Sequence, residues 1–360
     1  MTDFFQRLAQ KLDELPNGYP PAGGLELKIL RKIFTPEDAE MALQLRPMPE
    51  SAASLAQRLG RPEQEMTAIL DRMARRGQIG SFTVRGRQMY LLMPFVIGIY
   101  EFQLNHIDRE LAELFDQYNP TLMKILGGAK PSLARVVPVN QTIPTEHQIL
   151  LFEDVRRMIE ESRSFVVRDC ICRKKNGLRD KPCRHTLETC LGISPEEHAY
   201  DYFTHAGRII TKEEALAVLD AAAREGLIHC TYNVQQGHRW ICNCCSCCCE
   251  LIISLRERIA PFALAGSRFR AEIDADSCSA CGTCADERCG MEAIIGDEGA
   301  YRVLADRCIG CGVCAITCPT ESIRLIPRAA DECESPPESL PAWIMTRMKN
   351  RAAAEGRNSN

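Results

Sequence analysis

Eight cysteines near the carboxyl end of the chain are laid out as two copies of one pattern, and nothing else in the sequence restricts the fold as strongly. Cys278, Cys281, Cys284 and Cys289 are followed 30 residues later by Cys308, Cys311, Cys314 and Cys318. The first copy reads ADSCSACGTCADERCGMEAI and the second ADRCIGCGVCAITCPTESI, so the cysteines, the flanking Ala-Asp and the trailing Ile all repeat. The chain has 360 residues, 45% of them hydrophobic, which is enough for two or three domains with cores of their own. Its 20 cysteines are therefore not needed as staples. The amino terminus lacks the layout of a secretory signal, and in such a chain abundant thiols point to metal sites in a reducing, cytoplasmic setting.

Three cysteines separated by two residues each let a tight loop curl around a cubic iron-sulfur cluster, presenting three thiolates to three irons while backbone N–H groups point at the sulfides. Ala280, Gly282, Gly310 and Gly312 lie between these cysteines, where a bulky side chain would crowd the loop. A zinc ribbon fits poorly because zinc takes its four ligands in two pairs rather than from triplets of thiols, and a disulfide framework fits worse. The stretch from about Ala271 to Arg328 resembles the bacterial two-cluster ferredoxin, and its second half matches C-x2-C-x2-C-x3-C-P throughout. The resemblance implies two 4Fe-4S clusters with crossed ligation, one held by Cys278, Cys281, Cys284 and Cys318, the other by Cys308, Cys311, Cys314 and Cys289. The first copy departs from the pattern. Four residues, Ala285 to Arg288, separate its third and fourth cysteines, and Gly290 replaces the counterpart of Pro319. The extra residue should bulge the loop.

Upstream of the repeat lie Cys170, Cys172, Cys183 and Cys190, in FVVRDCICRKKNGLRDKPCRHTLETC, and then Cys242, Cys244, Cys245, Cys247, Cys248 and Cys249, in WICNCCSCCCE. Arg168, Arg173, Lys174, Lys175, Arg179, Lys181 and Arg184 surround the first group, and positive charge there would favour thiolates. The arrangement resembles multi-domain 4Fe-4S dicluster proteins of anaerobic bacteria, which carry a similar C-x-C-R and C-C-x-C-C-C before their ferredoxin repeat. The expected ligands of a third iron-sulfur cluster, or of zinc, are Cys170, Cys172, Cys183 and Cys190, with some of the six later thiols as further ligands. His185 is given no ligand role, and Cys230 and Cys333 read as isolated, ordinary thiols.

The rest of the chain yields an α+β, multi-domain expectation. Residues 1–24 form an amphipathic helix with Phe4, Phe5, Leu8, Leu12 and Leu15 on one side. Residues 25–93 read as three helices and a hairpin with Arg85-Gly86-Arg87 at its tip, an order that resembles a winged helix-turn-helix domain. Arg58, Arg61, Arg72, Arg75, Arg76, Arg85 and Arg87 would suit DNA, but Glu63 and Glu65 begin the helix that would meet phosphate, so a docking role is favoured over a DNA partner. Residues 94–144 are expected to hold a long helix, Pro94 to Asn119, and a Pro-rich connector. Residues 145–265 form a mixed α/β cysteine-rich middle domain with capping boxes at Thr145–Gln148, Ser194–Glu197 and Thr211–Glu214, each opening a helix. Residues 266–328 form the ferredoxin-like βαββαβ-type domain, and 329–360 a polar tail with a short helix near Trp343. No apolar run approaches the ~20 residues of a membrane span.

No dinucleotide fingerprint, phosphate loop or catalytic triad order is visible, so whether the chain is itself an enzyme stays open. The chemistry expected is single-electron transfer to or from a partner oxidoreductase. The alternatives are a redox-responsive transcription regulator acting through the winged helix, and an enzyme with substrate at the CNCCSCCC run.

Overall fold

The computed structural model describes residues 3–84, 86–139, 142–143, 149–201, 207–297 and 299–357. The chain divides into two units: residues 1–126, 169–182 and 198–209 in the first, and 127–168, 183–197 and 210–360 in the second.

The first unit opens with helix α1 (Phe4–Asp13), capped by the Asp3 carboxylate accepting from the Phe5 N–H. Phe5, Leu8 and Leu12 are buried on one side of it, as the spacing predicts, against α2 (Leu25–Ile33) and α3 (Pro36–Gln44). The amino-terminal helix thus packs on the helices that follow it. Helices α4 (Ala52–Leu59) and α5 (Glu63–Arg75) pack together and lead into the hairpin of β1 (Gly80–Val84) and β2 (Arg87–Leu91), with Val84 opposite Arg87. Tyr90 also bridges to Glu50, ahead of α4. The tip residue Arg85 lies outside the described residues.

The long helix expected over Pro94 to Asn119 is broken. Val96 and Gly98 have non-helical backbone, α6 is a single turn (Tyr100–Phe102), and the continuous helix α7 runs from Arg109 to Leu126. Asp108 starts α7 by accepting the Leu111 N–H at 2.8 Å, so the chain has a fresh cap where a continuous helix would have none. Tyr19, Phe95, Phe115 and Tyr118 stack in a buried aromatic group that holds these segments together.

The second unit begins in the Pro-rich connector, which contains a strand, β3 (Ala134–Val137), buried along its whole length. Helix α8 (Val155–Glu160) and strand β4 (Ser164–Asp169) follow, then α9 (Ile171–Leu178) of the first unit, β5 (Glu188–Ser194) and the short β6 (Arg208–Ile210). Next come α10 (Lys212–Arg224), β7 (Ile228–Tyr232), β8 (Trp240–Cys244), α11 (Glu250–Arg256) and β9 (Leu264–Ala265). The strands are ordered β4-β5-β8-β7-β3-β9 across the sheet; β5, β8, β7 and β3 pair antiparallel in turn, and β9 joins β3 in parallel. Val155 and Ile159 of α8, Ala215 and Leu219 of α10, and Phe165, Leu191 and Ile241 of the sheet form one apolar core.

Of the three expected capping boxes, Thr211–Glu214 opens α10 with both reciprocal bonds present. Ser194 instead ends β5, and its hydroxyl accepts from Glu196 N–H and from Arg239, so turns follow it rather than a helix. Thr145–Gln148 lies outside the described residues.

The last part of the second unit holds β10 (Phe269–Ile273) paired antiparallel with β13 (Ile323–Pro327), and between them the hairpin β11 (Ile294–Asp297) and β12 (Ala300–Val303). The expected polar tail is a helix over most of its length, α12 (Leu340–Arg357). Trp343 is buried and donates to the Ser132 carbonyl, while the fully buried Arg347 donates to the Ala129 and Pro131 carbonyls. Among the described residues no helix is long and apolar enough to cross a membrane.

Candidate iron-sulfur site

Both copies of the cysteine repeat sit between β10 and β13, and their loops share an unusual backbone. Ala280 and Gly310, two residues after the first cysteine of each copy, have φ of 52° and 70°; Gly282 and Gly312, one residue after the second, have 79° and 80°. Left-handed steps at both places curl the loop back on itself, which directs successive thiols inward. The duplication continues past the fourth cysteine. Glu292 and Glu321 stand three residues beyond Cys289 and Cys318, both at φ 53°, and each N–H bonds back to the cysteine carbonyl.

The extra residue of the first copy forms a π-helical turn, Cys284–Arg288, closed by Cys289 N–H to Cys284 carbonyl at 3.0 Å. The inserted turn carries Arg288 outward to donate to the carbonyls of Val313, Arg224 and Ala223 at 3.2, 2.8 and 3.0 Å, tying the end of α10 to the second cysteine loop. Gly290 is explained in the same way. A Cβ there would lie 2.6 Å from the Ser246 side chain, so the proline found in the other copy does not fit.

A cavity is lined by Cys278, Cys281 and Cys284 of the first copy together with Cys318 of the second, with Tyr301, Pro319 and Ile323 completing its wall. Cys289 keeps the opposite company: its thiol and those of Cys308, Cys311 and Cys314 are close enough to oppose one another's ionisation. The fourth cysteine of each copy is thus placed with the first three of the other. Backbone N–H groups are aimed at the sulfurs, Ala271 to Cys308 at 3.4 Å and Ala293 to Cys289 at 3.2 Å. The residues therefore fit a group that needs four thiolates and N–H donors around a shielded volume.

The two sets differ electrostatically. Burial pushes Cys311 up to about 12 and Cys314 well above its ordinary value. Cys281, which is exposed, is lowered by its hydrogen bonds with the Thr283 N–H and side chain; at Cys318 partial burial works upward but hydrogen bonds with Thr320 and Ser322 bring the net shift down. The set with Cys318 includes the exposed Cys281, whereas no thiol of the set with Cys289 is exposed.

The upstream cysteines are arranged differently from their order in the sequence. Cys170 stands at the position before α9 without a side-chain capping bond, and Cys172 is two residues on; a thiol bond from Cys172 and burial raise Cys170, while Arg173 works against the rise. The basic residues do not simply activate it, because Lys175 and Arg179 are engaged by Asp116. Cys170 and Cys172 belong to the first unit, Cys183 and Cys190 to the second. Within the second unit Cys183 lies 3.8 Å from Cys245 and 3.5 Å from Cys247, and Cys247 lies 3.7 Å from Cys248. Cys190 bonds to Cys242, the register of β7 against β8 sets Cys230 opposite Cys242, and Cys244 meets both Cys230 and Cys249. Cys230, read from the sequence as isolated, joins this row; its position on a strand antiparallel to a Cys-x-Cys strand was the available signal. Cys333 donates to the Ala329 carbonyl at 3.5 Å, and burial raises it. His185 lies 3.6 Å from the Glu225 carboxylate.

Residues 301–324 match the family model of a 4Fe-4S binding domain, a span that includes Cys308, Cys311, Cys314 and Cys318. No curated protein and no solved structure matches the chain.

Proposed function

We propose that the chain is an iron-sulfur electron-transfer protein or subunit that carries two 4Fe-4S clusters and exchanges single electrons with a partner oxidoreductase. The observation that supports this reading is a cavity lined by Cys318 of the second copy together with Cys278, Cys281 and Cys284 of the first. Those four would hold one cluster, and Cys308, Cys311, Cys314 and Cys289 the other. Such clusters take up and release one electron at a potential set by ligation, hydrogen bonds and burial. The chain's residues would do the tuning. N–H donors to Cys289 and Cys308 stabilise negative charge on the set with Cys289, and the exposed Cys281 offers the set with Cys318 a place for a partner to approach. No Arg or Lys need act as an acid or base, since no proton moves.

The regulator alternative draws little support from the first unit. Arg58 is paired with Glu50, Arg61 with Glu65, and both Arg72 and Arg76 with the buried Asp38, so four of the arginines that would meet DNA already have acidic partners. A docking role for this unit accords better with that pairing.

The test is of this crossed assignment. Cys318→Ala should remove the cluster of the first loop and Cys289→Ala that of the second, each variant keeping about half of the iron and sulfide with a single remaining paramagnetic signal on reduction. Full retention of iron and sulfide by both variants would overturn the assignment.

A further inference from the structure

The electron-transfer reading leaves unused the tightest group of thiols among the described residues. Cys245, Cys247 and Cys248 stand in the turn between β8 and α11, and Cys183 in the segment before β5; all four Sγ atoms lie within 4.8 Å of one another. Cys183 lies 3.8 Å from Cys245 and 3.5 Å from Cys247, and Cys247 lies 3.7 Å from Cys248. Four thiolates around one ion at ~2.3 Å mark the corners of a tetrahedron whose edges are about 3.8 Å. In a cubic cluster each thiolate sits on a different iron, so the sulfurs stand further apart. The repeat provides the comparison: among the described residues its eight cysteines form no group as tight as this one.

We propose that Cys183, Cys245, Cys247 and Cys248 bind a single divalent ion, zinc or iron, as a tetrathiolate centre distinct from the iron-sulfur clusters. Four soft sulfur ligands in tetrahedral array select these ions over harder ones, and a set of four protein ligands leaves no open position for substrate. Each thiol gives up its proton as the ion binds, so four protons leave for one ion gained. The centre would also have a structural consequence. Ser246, between two of the ligands, abuts Gly290, and Gly290 directly follows Cys289. Holding the turn rigid would fix the segment that presents Cys289.

Metal and acid-labile sulfide analysis of the full chain, prepared without oxygen, tests this against the Cys247→Ser variant. Cys247 is the exposed member of the four, which spares the core. The variant should lose one metal ion per chain with its sulfide content unchanged; loss of zinc identifies a zinc centre and loss of one iron an iron centre. Unchanged metal content would overturn the proposal, and so would loss of iron together with sulfide, which would mark a cluster. Should the variant not fold, cadmium exchange into the wild-type chain decides the matter. One tetrathiolate cadmium resonance is expected, and its absence contradicts the proposal. Sulfide reports the clusters and the sulfide-free ion reports this site, so the two assignments fail separately.

Discussion

Ala280 holds a left-handed conformation that its counterpart Gly310 adopts without a Cβ. That conformation costs a residue with a side chain roughly 1–2 kcal/mol, so Ala280→Gly should stabilise the chain by about 1 kcal/mol, read as a raised urea midpoint with iron content unchanged. The reverse change is predicted to be severe. At Gly310 a Cβ would lie 2.1 Å from the Phe269 carbonyl oxygen and 2.2 Å from Ser267 Oγ, so Gly310→Ala should displace the second loop and halve the iron per chain. These loops were legible in the sequence because the chemistry is local: cysteines two residues apart, with small residues between, imply a curled loop whatever surrounds it. The upstream thiols were not legible in that way. Cys183 meets Cys245 across more than sixty residues of chain, and Cys190 meets Cys242 through strand pairing, so proximity in sequence misgrouped them.

Among the elements, the inserted π turn shows how one extra residue becomes a structural link. Arg288 makes three bonds to carbonyls, and Arg288→Ala should cost about 2 kcal/mol in urea unfolding, with the end of α10 losing amide protection first. A second prediction concerns β7 and β8. Burial pushes His229 down from 6.5 to about 4, although its bond to Asn243 works upward. Because the folded value lies below the unfolded one, the unfolded chain binds the proton first as pH falls. Stability present above about 6.5 is therefore lost progressively down to about 4, by about 3 kcal/mol in total. The stability difference between wild type and His229→Gln, measured across that range, should move in favour of the variant as pH falls; a constant difference would refute the account. Several elements escaped the sequence for physical reasons. Strand β3 is buried on both faces and carries the buried Arg135, paired with Glu153, so it shows neither alternation nor an apolar run. The tail reads as polar because α12 buries only a few side chains, Trp343 and Arg347 among them. The break before α7 depends on Asp108 acting as a cap inside a pattern that otherwise continues.

On the scale of the molecule, the second unit holds the ferredoxin-like loops, between β10 and β13, and a crowded set of thiols on and beside the larger sheet, while the first unit is a helical body with a hairpin. Composition alone does not give that division: the cysteines begin only at Cys170, yet Cys170 and Cys172 belong to the first unit. The arginines of the first unit teach the same lesson. Counting charges suggested a basic face, but Asp38, buried at the start of α3, draws in Arg72 and Arg76, and only the fold could show it. Iron and acid-labile sulfide, counted in the full chain purified without oxygen, test the central claim most directly. Two 4Fe-4S clusters predict about eight of each per chain, with the proposed tetrathiolate ion in addition to them. A preparation that carries metal but no labile sulfide would contradict it.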